Sequence, residues 1–122
     1  MGGPVGWILD EPDRSRLLER FPPRFDRIVA HHVTLWGHRE RAPVPPPAVM
    51  AVIGHAADTA IEALIVTVDG SAERPDGGTF HCTWSLDPMS DRVPKDANAM
   101  IAVRNWTSFA PLPFSASAGY IA

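Results

Sequence analysis

Two short segments, His32-Val33-Thr34-Leu35 and His81-Cys82-Thr83-Trp84, each set a histidine and a threonine two positions apart, with an apolar residue after each hydroxyl. Side chains of an extended strand alternate between faces, so residues two apart project from one surface about 7 Å apart. Each segment therefore presents an imidazole and a hydroxyl together. Brought face to face, two such surfaces flank a phosphate. One neutral imidazole can take a proton from water while the other, protonated, gives one to the departing oxygen. Histidine suits both tasks because its reference pKa is about 6.5. Thr34 and Thr83 would stabilise charge on the phosphoryl oxygens, and the reaction calls for no metal or other cofactor.

The elements around the motifs have to hold them. Arg27 to Trp36 is rich in β-branched and aromatic residues and reads as one strand. Its alternation puts Ile28, Ala30, His32, Thr34 and Trp36 toward a cleft, and Val29, His31, Val33 and Leu35 mainly toward the core. His31 is thereby expected on the opposite side from His32, in a structural role. Thr79 to Leu86 is the second motif strand. It carries Thr79, His81, Thr83 and Ser85 on one face and Phe80, Cys82, Trp84 and Leu86 on the apolar one.

Val5 to Leu9 reads as a first strand, and Asp10-Glu11-Pro12 leads into a short helix from Pro12 to Arg20, stopped by Phe21-Pro22-Pro23. Val49 to Gly54 and Ala60 to Val68 are strands separated by a turn over Gly54 to Asp58. A polar tip, Asp69 to Gly78, then joins the later strand to the second motif. Asp87-Pro88 ends that strand, and Ala97, Met100, Ile101 and Arg104 fall at helical spacing in Asp96 to Arg104. Pro111 to Ala122 is expected to be a last edge strand or an ordered extension. Together these elements predict an α+β domain over residues 1–122, with an antiparallel sheet and two short helices.

At 122 residues, with 45% hydrophobic and 20% charged residues, the chain suits one domain with one core. A net charge of -3 excludes general attraction for polyanions, although a local pocket can still bind one phosphate. The lone Cys82 can neither close an internal disulfide nor help build a cysteine zinc site, which suits a reducing compartment and points to the cytoplasm. No apolar run approaches the roughly 20 residues that span a bilayer, and Met1-Gly2-Gly3-Pro4 lacks the regions of a signal peptide, so no membrane partner is expected.

Arg74 on the hairpin tip and Lys95 after the second motif can reach a phosphate in the cleft. Trp36 shares the face of His32 and can stack on a base, whereas Trp84 belongs to the core. His38 and His55 are expected in turns. Five histidines invite a metal reading, but no helical His-x-x-x-His spacing supports one. The run from Gly37 to Pro47 contains Pro43, Pro45, Pro46 and Pro47 and favours an extended polyproline loop. Without a basic anchor for a peptide groove, that loop reads as stiffening.

The paired His-x-Thr motifs resemble those of the 2H phosphoesterase superfamily, which includes RNA 2',3'-cyclic phosphodiesterases and the cyclic phosphodiesterase domains of tRNA ligases. By that resemblance His32, Thr34, His81 and Thr83 occupy the four signature positions across a pseudo-symmetric cleft. The implied activity is metal-independent opening of a 2',3'-cyclic phosphate, or a related phosphodiester, on a nucleotide or RNA end. The short interval between the motifs implies a compact version with a reduced lobe. The same compactness motivates an alternative, a catalytically silent module that holds a phosphate or RNA terminus in that cleft.

Overall fold

The computed structural model describes residues 3–37 and 42–121. In chain order the elements are β1 (Val5–Leu9), α1 (Glu11–Arg20), β2 (Arg27–Ile28), β3 (His32–Trp36), β4 (Met50–Ala57), β5 (Ile61–Val68), β6 (His81–Leu86), α2 (Ala97–Arg104), β7 (Thr107–Phe114) and β8 (Ala116–Tyr120). A single 3₁₀ turn, Pro94–Asp96, leads into α2. The strands make two antiparallel sheets where one was expected. One has the order β3-β1-β8, and the other has the order β2-β6-β5-β4-β7. The class is α+β.

Burial explains the two-sheet arrangement. β5 has almost no polar alternation because it is central and covered on both faces. Leu64, Val66 and Val68 join Trp7, Val33, Met50, Val52, Phe80, Cys82 and Trp84 in the main core, to which α1 adds Leu17. Ile61, Ala63 and Ile65 face the other way, where α2 covers them with Ala97, Met100 and Ile101. Leu86, expected with the apolar face of its strand, belongs to this second cluster. The bulge between Glu62 and Ala63 in the β5–β6 pairing shifts the register next to it.

The expected strand from Arg27 to Trp36 is broken. β2 pairs with β6 in the larger sheet, whereas β3 pairs with β1 in the smaller one. The switch occurs at Ala30, which adopts φ 42°, a left-handed conformation that disfavours a residue bearing a Cβ. Long-range bonds hold it there. The Ala30 N–H donates to the Thr83 carbonyl at 3.0 Å, and the Ala30 carbonyl accepts from Arg14 Nε at 2.7 Å. Ile28, expected to be covered, lies exposed before the break.

Other boundaries shift less. β4 runs on through Ala57, so His55 lies in a strand, and the turn that follows is stabilised by Asp58, whose Oδ1 accepts from the Ala60 and Ile61 N–H groups. The C-terminal segment supplies two strands, β7 on the edge of the larger sheet and β8 beside β1 in the smaller. Residues 42–49 have no regular structure, and the Pro46 carbonyl accepts from Trp7 Nε1 at 3.1 Å. The expected turn at His38 lies outside the described residues.

β1 and β3 approach closely at Gly6. A Cβ added there would lie 2.0 Å from the Val33 carbonyl oxygen and 3.0 Å from the Leu35 nitrogen, both backbone atoms that cannot rotate away. Gly6→Ala is expected to destabilise the fold by at least about 1–3 kcal/mol, the usual penalty for overpacking. It should also push His32 out of position, so thermal melting and phosphate binding should fall together. Unchanged melting would contradict this close approach.

Candidate active site

His32 and Thr34 from β3 and His81 and Thr83 from β6 line one cavity of about 380 Å³. Arg74 and Lys95 line it as well, as do Asp76, Pro94 and Asn98. The break at Ala30 makes this meeting possible, because it turns β3 out of the larger sheet just before His32. Trp36 is half-buried on β3 and is not among the lining residues. A volume near 400 Å³ suits a small ligand.

His81 is buried, with 8% exposure, and its Nδ1–H donates to the Thr79 carbonyl at 2.8 Å. A carbonyl only accepts, so this bond fixes the hydrogen of the neutral ring on Nδ1 and leaves Nε2 bare. Burial pushes the His81 pKa below its ordinary value. The Thr79 bond works the other way, the Arg74 charge adds to the lowering and the Asp76 charge opposes it.

His32 is half-buried and its pKa is lowered to about 4, first by burial and then by the charges of His31 and His81. His31 does not point away from it. The two Nδ1 atoms are 3.0 Å apart with the rings at 78°, so one imidazole must donate to the other and the pair shares a hydrogen. Strict alternation fails because regular strand begins only at His32. Nε2 is therefore the nitrogen of His32 left for other partners, and exposed His31 connects its Nδ1 to solvent.

The two hydroxyls differ. Thr83 Oγ1 donates to the Pro94 carbonyl at 3.0 Å, so it reaches a ligand as a donor only by giving up that bond. Thr34 Oγ1 has no hydrogen-bond partner among the described residues. Arg74 is held as a clamp on the rim. Its Nε and Nη2 meet the two Asp76 oxygens at 3.1 Å each, and Nη2 also reaches Asn98 Oδ1 at 3.0 Å. Cys82 takes no part. Burial pushes its thiol up to about 12, outweighing hydrogen bonds from the His32 and His31 backbone, so it stays protonated.

The lowered imidazoles carry a stability consequence. In the unfolded chain each titrates near 6.5, so between that pH and the folded value the unfolded state binds more protons. Stability should therefore be level above about pH 7 and fall as pH drops from about 6.5 toward 4. Glu62, Asp58, Asp76 and Asp13 are lowered below ordinary carboxylate values, so their contribution is lost only at more acidic pH. Urea midpoints at pH 7 and pH 5 should differ in the wild type, and the gap should narrow in His81→Gln, where only the His32 share remains; equal midpoints in the wild type would contradict buried neutral imidazoles.

A second polar cluster went unread in the sequence. Glu62, 3% exposed, accepts from Ser85 Oγ at 2.7 Å and the Arg24 N–H at 2.9 Å through one oxygen, and meets His55 Nε2 at 2.8 Å through the other. Burial raises its pKa, but the bonds from His55, Arg24 and Ser85 outweigh that and hold the carboxyl ionised.

No family model, curated protein or solved structure matches the chain. Among the described residues there is no group of three or more His, Cys, Asp or Glu side chains placed to hold a metal ion. No helix among them is long and apolar enough to cross a membrane.

Proposed function

We propose that this protein is a 2H-type phosphodiesterase that opens a 2',3'-cyclic phosphate, or a related phosphodiester, on a nucleotide or RNA end without a metal. The observation that carries the reading is that His32, Thr34, His81 and Thr83 line a single cavity together with the cationic Arg74 and Lys95. The pseudo-symmetric 2H cleft is part of this reading.

The tautomers suggest a division of labour. His81, with its hydrogen held on Nδ1 by Thr79, offers a bare Nε2 as general base. It takes a proton from water as the water oxygen forms a bond to phosphorus. His32 gives the proton on Nε2 to the ribose oxygen whose bond to phosphorus breaks, and the product is a phosphate monoester. His81 then releases its proton to solvent and His32 takes one back on Nε2, while the Nδ1 contact with His31 holds the His32 ring in place. Lys95 and Arg74 offset the phosphate charge, and Thr34 donates to a phosphoryl oxygen.

One observation favours a second reading. With both motif imidazoles below their ordinary pKa, neither is by itself a ready proton donor near neutrality, as suits a silent module that only binds a phosphate or RNA terminus. An anionic phosphate between the rings raises both values and restores the donor. A panel of 2',3'-cyclic nucleotides incubated with the protein and chelator decides between the two. Phosphomonoester product is expected; saturable binding without product would leave the silent module standing.

A further inference from the structure

We infer that a second nucleotide-binding site lies at the C-terminal end of α2, where Arg24, His55 and Arg104 would hold a phosphate and Trp106 would carry the base. These residues, with Thr107, line a separate cavity of about 450 Å³. The first cavity is bordered by Pro94, Lys95 and Asn98, at the start of the same helix. α2 has eight residues, so about 12 Å of helix separates the two clefts.

An imidazole and two guanidiniums line this cavity. His55 donates Nε2–H to the buried Glu62 carboxylate, which fixes the orientation of the ring in the cavity wall. Among the described residues, neither the Arg24 nor the Arg104 guanidinium is ion-paired. The acid that feels the Arg104 charge, Asp58, is already paired with Arg92 and bonded to the Ala60 and Ile61 N–H groups. Two unpaired guanidiniums beside an imidazole are an anion-binding set in a chain whose net charge is -3.

The aromatic partner is seated by a glycine. A Cβ on Gly54 would lie 2.4 Å from Trp106 Cδ1, so only the bare backbone of β4 lets the indole lie against the strand. Trp106 is partly exposed in that position and offers a planar surface beside the cationic groups. A planar base and a phosphate on one molecule match this pairing, which points to a nucleotide over inorganic phosphate.

Titration with adenosine 5'-monophosphate, followed by the Trp106 indole and His55 imidazole NMR signals, tests the site without reference to catalysis. Saturable shifts at both groups are expected. Affinity should weaken at least 10-fold in the Arg24→Ala, Arg104→Ala double variant and in Trp106→Ala, and should be retained in His32→Ala. Inorganic phosphate should bind more weakly than the nucleotide. Shifts absent at Trp106, binding lost in His32→Ala but kept in the arginine variant, or equal binding of phosphate and nucleotide would each overturn the site. The first cleft is judged separately, by turnover.

Discussion

Replacing either His32 or His81 with alanine is expected to lower turnover of a 2',3'-cyclic nucleotide by about 10²–10⁴-fold, the usual contribution of a positioned general acid or base. Both imidazoles belong to one cavity and would serve opposite halves of one proton transfer, so the two losses should be similar and the double variant little worse than either. His81 is buried, so alanine there also opens a small void; His81→Gln keeps most of the volume and should be as inactive. The pH profile of the wild type should be bell-shaped, with one limb from each histidine. His31→Phe should distort the limb that belongs to His32 and leave the other in place, because only His32 shares a hydrogen with His31. Near-full activity in either alanine variant would remove that histidine from the mechanism.

Trp84→Ala is expected to destabilise the protein by about 3–5 kcal/mol, as large aromatic truncations in a core do. Trp84 is fully buried, packs in the main core behind the His81 strand and donates Nε1–H to the Phe21 carbonyl at 2.8 Å. That bond ties the end of α1 to the sheet. A total stability of about 5–15 kcal/mol is usual, so the variant should lose a large part of it. Trp84→Phe keeps the ring contacts and removes the indole donor, leaving the Phe21 carbonyl without it; the loss there should be about 1–3 kcal/mol. Urea unfolding measures both. A loss below 1 kcal/mol in the alanine variant would contradict the place given to Trp84 in the core.

β6 was readable from its residues because its alternation is strong. His81 and Thr83 fall on one face and Cys82 and Trp84 on the other, as a two-residue period requires. Helix α2 was also legible, since Ala97, Met100 and Ile101 lie on one stripe and pack together. The break at Ala30 was not, because nothing in Val29-Ala30-His31 signals a left-handed residue. Its causes are the Arg14 side chain and the Thr83 carbonyl, both distant in sequence.

The same break hid the contact between His31 and His32, which depends on His31 lying outside regular strand. The His55–Glu62 pair was missed for another reason. The partners sit seven positions apart on neighbouring strands, and only the β4–β5 register brings them together. Trp36 shows the limit of face counting, since the β1–β3 register shifts between Thr34 and Trp36 and strict alternation does not carry across that bulge.

The claim on which the rest depends is that His32 and His81 serve one phosphate. Titration of the protein with a 2',3'-cyclic nucleotide, or with its monophosphate product, can be followed through the imidazole nitrogens of each histidine by NMR. The expected result is that the His32 and His81 signals move together with one dissociation constant, and that His32 takes up a proton as the anion binds while His81 keeps a bare Nε2. Signals that move for only one of the two, or with unrelated constants, would contradict a shared site.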